Sequence, residues 1–398
     1  MAREGRKRKL LNLSPELPTE IIFSHILPRL PPKDLMMQCR CVCKSWSSFI
    51  CSPSFVADFW NDRNKSTTNF LFQKQNRFFS SKIEEKEQQG GGNNNNKNNR
   101  VLIPTPVAEL SYLSRCEALQ LYRYDEVQSV HGLVCASSRK GDPVFVVNPT
   151  TRESIQLPHV KHNAVVVYHF GFSPLTNEYK VLQLINFRKS NFQFNAFTLG
   201  QDSSWRPLQV DPAAGNVDLP FKIWDVAAIT DSVCINGAIH WIDKREKDIL
   251  VFDVGKESFS VVPLPEDCAQ GFVDYNENFP SIIEVGGCVA VDIANRWEYD
   301  RIILWILKDY QNLVWVKETI TFSEMPEKTI CSEVLGTIHT GELAIMMEVV
   351  DSPLQLYLYN MKSKRHRIFD FVWPGFKAEP YGRPLLQLLY SDSIVPLK

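Results

Sequence analysis

Residues 249–265 read ILVFDVGKESFSVVPLP, a β-branched and aromatic run, a polar turn containing Gly255, and a second such run closed by proline. That is the signature of a strand, a tight turn and an antiparallel strand. The same design recurs as VFVVNPTTRESIQLP ending at Pro158, FNAFTLGQDSSWRPL ending at Leu208, ILWILKDYQNLVWVKE ending at Glu318 and LYLYNMKSKRHRIFDF ending at Phe371. The residues that end the first run of each unit are Asn148, Leu199, Asp253, Leu307 and Asn360, with separations of 51, 54, 54 and 53. Four of the five units follow a further strand pair built around a glycine, at Gly132, Gly237, Gly287 and Gly341.

Four strands in a repeat of about 50 residues match a kelch-like propeller blade, because one such sheet cannot bury both faces without neighbours. Five repeats span Val127 to Phe371. A sixth is expected from NFLFQ at Asn69 to Gln73 and VLIPTPVAELSYL at Val101 to Leu113, completed by LLQLLYSDSIVPL near the carboxyl end. The expected fold is therefore an all-β, six-bladed kelch-like β-propeller, with seven blades or an irregular sandwich as alternatives. Because repeats bury one another, a chain beginning near Asn61 is expected to fold without the segment before it. Between the first strands, the stretch at residues 84–99, EEKEQQGGGNNNNKNN, has nothing to bury and reads as a disordered loop.

Residues 17–55, LPTEIIFSHILPRLPPKDLMMQCRCVCKSWSSFICSPSF, read differently, as three short helices. On a 3.6-residue wheel Ile22, Phe23, Ile26, Leu27 and Leu30 cover an arc of about 140°, and Ile21 stands alone on the polar side. Pro31 and Pro32 stop this helix and open the next, about Lys33 to Arg40, where Asp34 suits the positive end of the dipole. Val42, Trp46, Phe49 and Ile50 give a third helix that closes before Ser52-Pro53. This is more apolar surface than so small a unit can bury in its own core, and the surplus points to a partner protein.

Leu17-Pro18, Leu30-Pro31 and Arg40-Cys41-Val42-Cys43-Lys44-Ser45-Trp46, at fixed spacings, resemble the F-box of ubiquitin-ligase receptor proteins. The β region resembles the F-box-associated domain of plant F-box proteins. The matching pieces are His131-Gly132-Leu133-Val134-Cys135, Asn148-Pro149-Thr150-Thr151-Arg152, Gly171-Phe172, Asn177-Glu178-Tyr179-Lys180-Val181, Ser204-Trp205-Arg206, Asn236-Gly237-Ala238-Ile239-His240-Trp241 and Leu307-Lys308-Asp309-Tyr310. One departure is Pro28, which removes a backbone donor in the last turn of the first helix.

The basic run from Arg3 to Lys9 reads as a disordered tail over 1–14, and the resemblance implies an F-box over 15–60 and a propeller over 61–398. It also implies the substrate receptor of an SCF-type (Skp-cullin-F-box) E3 ubiquitin ligase. The F-box would bind the Skp-type adaptor, and through it a cullin and a RING subunit. The propeller would hold a protein target for ubiquitination and proteasomal degradation. Adaptor docking is assigned to Leu17, Pro18, Ile21, Ile26, Leu27, Leu30, Pro31, Leu35, Val42, Cys43 and Trp46, with Lys44 at the polar rim. Substrate recognition is assigned to aromatics outside the periodic strands, Trp224, Tyr275, Phe279, Trp297, Tyr299, Trp373 and Tyr381, with Arg296, Glu298, Asp300 and Arg301 as a charged rim. His131, His240, Trp205 and Trp241 read as core.

Composition narrows the alternatives. The 398 residues carry a formal net charge of −1, which gives no electrostatic reason to seek nucleic acid or an anionic membrane. No apolar run approaches the roughly 18 residues of a membrane span. The start, with basic residues Arg3 to Lys9 and no apolar signal core, implies a reducing compartment in nucleus or cytoplasm and ten free thiols rather than disulfides. Cys39, Cys41, Cys43 and Cys51 lack the spacing and downstream histidines of a zinc site and read as small apolar packing. No nucleophile elbow, Walker loop, dinucleotide fingerprint or H-E-x-x-H is present, so neither catalytic residues nor a cofactor or metal is expected. A ligase-independent scaffold or a propeller enzyme are the competing readings.

Overall fold

The computed structural model describes residues 18–63, 68–74, 77–82, 100–102, 105–106, 126–137, 143–159, 164–186, 192–208, 232–270, 272, 278–295, 301–322, 329–349, 354–371 and 386–397. The basic tail, the 84–99 stretch and Leu17 lie outside them.

Five four-stranded sheets and one five-stranded sheet form the six blades of a β-propeller. Blades I to V are sequential. Each lays its first strand innermost: Glu126–Val130, Val165–Ser173, Ser232–Ile235, Asn278–Val285 and Thr329–Thr337. Blade VI is shared between the two ends of the domain. Its inner strand, Leu386–Tyr390, pairs antiparallel with Asn69–Lys74, which pairs in turn with Arg77–Lys82. Each inner strand contacts the next around the axis, and Leu386–Tyr390 contacts both Thr329–Thr337 and Glu126–Val130, so the ring is closed.

Burial follows the layering. Leu133–Ser137, in the second position of blade I, is buried at every residue, whereas the outermost strand Glu153–Gln156 alternates between partly buried and exposed. Only a strand covered on both faces can be apolar throughout. The blades pack closely. A Cβ on Gly171 would stand 2.6 Å from Val254 Cγ2 and 2.7 Å from Ile239 Cγ1, both branched side chains buried between blades II and III. Gly171→Ala should therefore lower stability by about 2 kcal/mol in urea denaturation, the usual penalty for forcing a methyl group into a filled core.

One turn recurs at the blade spacing between third and fourth strands, and once more, at Asp243, between a second and a third strand. Asn148, Asp243, Asp253, Asp309 and Asn360 each turn a side-chain oxygen back onto backbone N–H groups two or three residues on. Four residues after the turn begins stands a left-handed residue, at Arg152, Lys247, Glu257, Leu313 or Lys364. Short Asx side chains make this bond and aliphatic ones cannot. The paired hairpins His131-Gly132, Asn236-Gly237 and Gly286-Gly287 hold both residues at positive φ, the two-residue turn that matches strand twist.

Two details differ from expectation. The 101–113 stretch does not serve one blade: Arg100–Leu102 joins blade V as a parallel fifth strand, and Thr105–Pro106 forms the outer edge of blade VI. Arg77–Lys82 supplies the strand that had been expected from that stretch.

The helical module contains more turns than three helices. The first passes from α at Thr19–Ile21 through π at Ile22–Ile26 to 3-10 at Leu27–Arg29. Pro28 explains the sequence of types: it has no N–H for a bond to the fourth preceding carbonyl and its ring crowds that carbonyl, so the backbone widens before it, with Leu27 N–H reaching Ile22 O. Pro32–Met37 and Lys44–Ile50 follow, and then a helix that the sequence reading did not anticipate, Pro53–Arg63, which runs past the boundary set at residue 60. Ser52 caps it, its hydroxyl accepting from Phe55 N–H at 3.4 Å while donating to Phe49 O at 2.7 Å.

Asp292, in blade IV, is a buried carboxyl pushed up to about 7, first by burial and then by Glu333 nearby. A carboxyl raised above its unfolded value favours folding when protonated. Its stabilising contribution is complete below about pH 4 and is lost as pH rises through 7. Asp292→Asn should accordingly gain on the order of 2 kcal/mol over wild type at pH 8 and nothing at pH 4, measured by urea denaturation at both.

Candidate docking surfaces and the junction between them

In a four-stranded meander, the first-to-second and third-to-fourth connections share one rim of the propeller, and the second-to-third and blade-to-blade connections share the other. The helical module sits on the first of these rims. Arg40 Nη1 meets Glu153 Oε1 at 2.8 Å, just past the turn between the third and fourth strands of blade I. The chain enters blade VI at Asn69, opposite Tyr390, on that same rim.

The core of the module is Leu27, Leu35, Met36, Ile50, Phe55 and Phe59, and it is completed by Ile394 from beyond the last strand of the propeller. Phe23 stacks on Phe49 at 4.4 Å and meets Trp46 edge-on at 6.2 Å. The propeller's last residues thus take cover from the helices, since removing them would expose Ile394, which is 1% exposed.

Of the residues assigned to adaptor docking, Pro18, Ile21, Pro31, Val42, Cys43 and Lys44 are exposed, and Ile26, Leu30 and Trp46 are half-buried. Leu27 and Leu35 are buried completely and belong to the core, so they hold the surface up without forming it. Large apolar side chains left in water are Ile21 at 41%, Met37 at 48% and Val42 at 61%. Met37 was not among the assigned residues, although it lies in the helix that carries Leu35. Cys41 and Cys43 are exposed thiols rather than packing, and Cys39 alone of the three leans on the core.

Of the aromatics assigned to substrate, Trp224, Tyr275, Trp297, Tyr299, Trp373 and Tyr381 lie outside the described residues, as do Arg296, Glu298 and Asp300. Phe279 is the second residue of the inner strand of blade IV, paired with Ala294. The strand ends flanking the other six are Pro207 and Ser232, Asn278, Asn295 and Arg301, and Phe371 and Leu386. By the meander rule all of them open on the rim away from the helices. His240 and Trp241 are core, and Trp205 donates its indole N–H to Pro158 O at 2.7 Å.

At the channel mouth on the helical side lies a cavity of about 400 Å³ lined by Thr68, His131, Glu284, Thr337 and His339. Its ionisable groups are occupied with the fold. Glu284 accepts from Gly287 and Thr337 N–H, His339 pairs with the Thr68 hydroxyl at 3.1 Å, and burial lowers His131 to about 4. Among the described residues no three His, Cys, Asp or Glu side chains converge as metal ligands.

Between the two parts lies a strap, residues 391–397. Asn148, 0% exposed, donates Nδ2 to Ser393 O at 3.0 Å and Val395 O at 2.9 Å while its Oδ1 holds the turn. Ser393 N–H donates to Thr150 Oγ1 at 3.2 Å, and Leu397 N–H to Glu153 Oε2 at 2.9 Å. Asp392 gathers Asn69, Lys82 and Thr150.

A closed propeller with a helical, partly apolar module fixed to one rim presents two separate surfaces. Residues 67–383 match the F-box associated beta propeller domain, and residues 14–59 match an F-box-like segment. The chain belongs to the F-box-associated β-propeller family. Two Arabidopsis thaliana relatives are the F-box protein At1g52495, 26% identical across 95% of this chain and 86% of its own length, and the F-box/kelch-repeat protein At4g19930, 25% identical across 92% and 87%. Among solved structures, a chain of the nidogen/laminin complex covers 82% of this chain and 99% of its own with 7% identity, at a TM-score of 0.43 that carries no functional weight.

Proposed function

We propose that the protein is the substrate receptor of an SCF-type ubiquitin ligase, binding a Skp-type adaptor through the helical module and a target protein on the opposite rim. The observation that carries this reading is the exposed apolar set Ile21, Met37 and Val42 on a module whose core is already complete. Such side chains gain from a partner and contribute nothing to the fold. Pro18, Ile26, Leu30, Pro31, Cys43, Lys44 and Trp46 would surround them. The adaptor would bring a cullin, a RING subunit and a charged ubiquitin-conjugating enzyme.

The receptor then acts by proximity, raising the effective concentration of target lysines near the ubiquitin thioester, and supplies no acid, base or cofactor. The far rim is the candidate target surface because six of the assigned aromatics fall between strand ends that open there, and Phe279 is the second residue of a strand that starts there. The decisive experiment mixes the purified chain with a purified Skp-type adaptor and measures complex formation by size-exclusion chromatography and calorimetry. A 1:1 complex is expected, and no complex at micromolar concentrations would overturn the reading.

A further inference from the structure

We propose that Ile394 is a positioning residue: by filling the helical core from the propeller's own strap, it fixes the angle between the adaptor-facing module and the target-facing rim, and so selects which lysines receive ubiquitin. The inference rests on the ligase reading above. The main chain passes between the two parts through residues 64–67, and a single short connection would leave a joint free to swing. Ile394 removes that freedom. Its side chain is 1% exposed among Leu27, Leu35 and Ile50, while Val395 and Leu397, immediately after it, pack into the core shared by blades I and II. One strap therefore belongs to both cores. Glu153 repeats the arrangement in polar form, with Oε1 on Arg40 of the helices and Oε2 on the strap at Leu397 N–H. Neither contact touches the exposed apolar set, so the orientation of the module can be changed separately from its binding.

The test uses the full chain in a ligase reconstituted with adaptor, cullin, RING subunit and conjugating enzyme, reading modification of the receptor's own lysines by mass spectrometry. In each transfer the lysine Nζ takes the ubiquitin carbonyl from the enzyme's thioester, releasing the thiol. For Ile394→Ala we expect adaptor affinity within about threefold of wild type, amide exchange around Leu27 and Ile50 at least tenfold faster, and a modified set enlarged by lysines untouched in wild type. Loss of stability alone would depress every site together and add none. If Ile394→Ala unfolds the module, Glu153→Ala decides, since it loosens the joint and leaves Ile394 in place. An unchanged lysine set in the folded variant overturns the proposal. Failure of the wild-type chain to bind the adaptor would instead overturn the ligase reading, and amide exchange would still report whether Ile394 couples the two parts: unchanged exchange would sink the proposal on its own.

Discussion

Val42→Asp should reduce adaptor affinity at least a hundredfold, about 2.7 kcal/mol, with no change in melting temperature. Val42 is 61% exposed, more than Ile21 or Met37, and takes no part in the core of the module. A surface substitution of this kind leaves folding nearly untouched. In a dry interface the same carboxylate would be buried without a partner, a penalty of several kcal/mol. Leu27→Asp makes the contrast, because the same charge at a fully buried position should unfold the module. Calorimetry with purified adaptor, paired with thermal melts, checks both. Undiminished affinity in Val42→Asp would move the docking surface elsewhere.

Asn148→Asp is expected to destabilise the propeller by about 3 kcal/mol, although it preserves the turn. The turn needs only an acceptor, and Asp253 and Asp309 provide one in the equivalent places. Asn148 has a second task, because its amide donates to two strap carbonyls in a site with no exposure. A carboxylate there would face two carbonyl oxygens and leave them unpaired. Protonating it restores one donor, so the deficit should shrink as pH falls through the raised value that burial imposes on this carboxyl, and be smallest below about pH 4. Asp253→Asn is the control, close to neutral, since that carboxylate accepts from backbone and pairs only with a surface lysine. Urea denaturation of both variants at neutral and acid pH separates turn from strap. Equal, small effects would mean that the strap contributes little.

That pair of residues also shows what was legible in the sequence. The propeller could be counted because its turns demand Asn, Asp and Gly, and these residues recur at the blade spacing. The ring clasp was legible because the C-terminal apolar run had no other partner. Arg100–Leu102 was not, since three residues carry no period and its partner strand lies at Arg365–Phe371. The F-box was recognisable from its motifs, but residue type does not distinguish Leu35, which points into the core, from Met37, two positions on, which points into water. Both are apolar residues of one helix. The second role of Asn148 was hidden for a similar reason, as the strap it holds is more than 240 residues away.

The strap also sets the order in which the molecule matures. Ile50 and Ile394 are 344 residues apart in the chain, and at ordinary rates of synthesis the ribosome takes on the order of tens of seconds to pass from one to the other. Through that interval the helices are complete in sequence while their core still lacks a side chain, and five blades stand without the strand that closes the ring. Each nascent chain thus passes through a long-lived stage with apolar surface uncovered at both ends, and translation of one short stretch finishes the two at once.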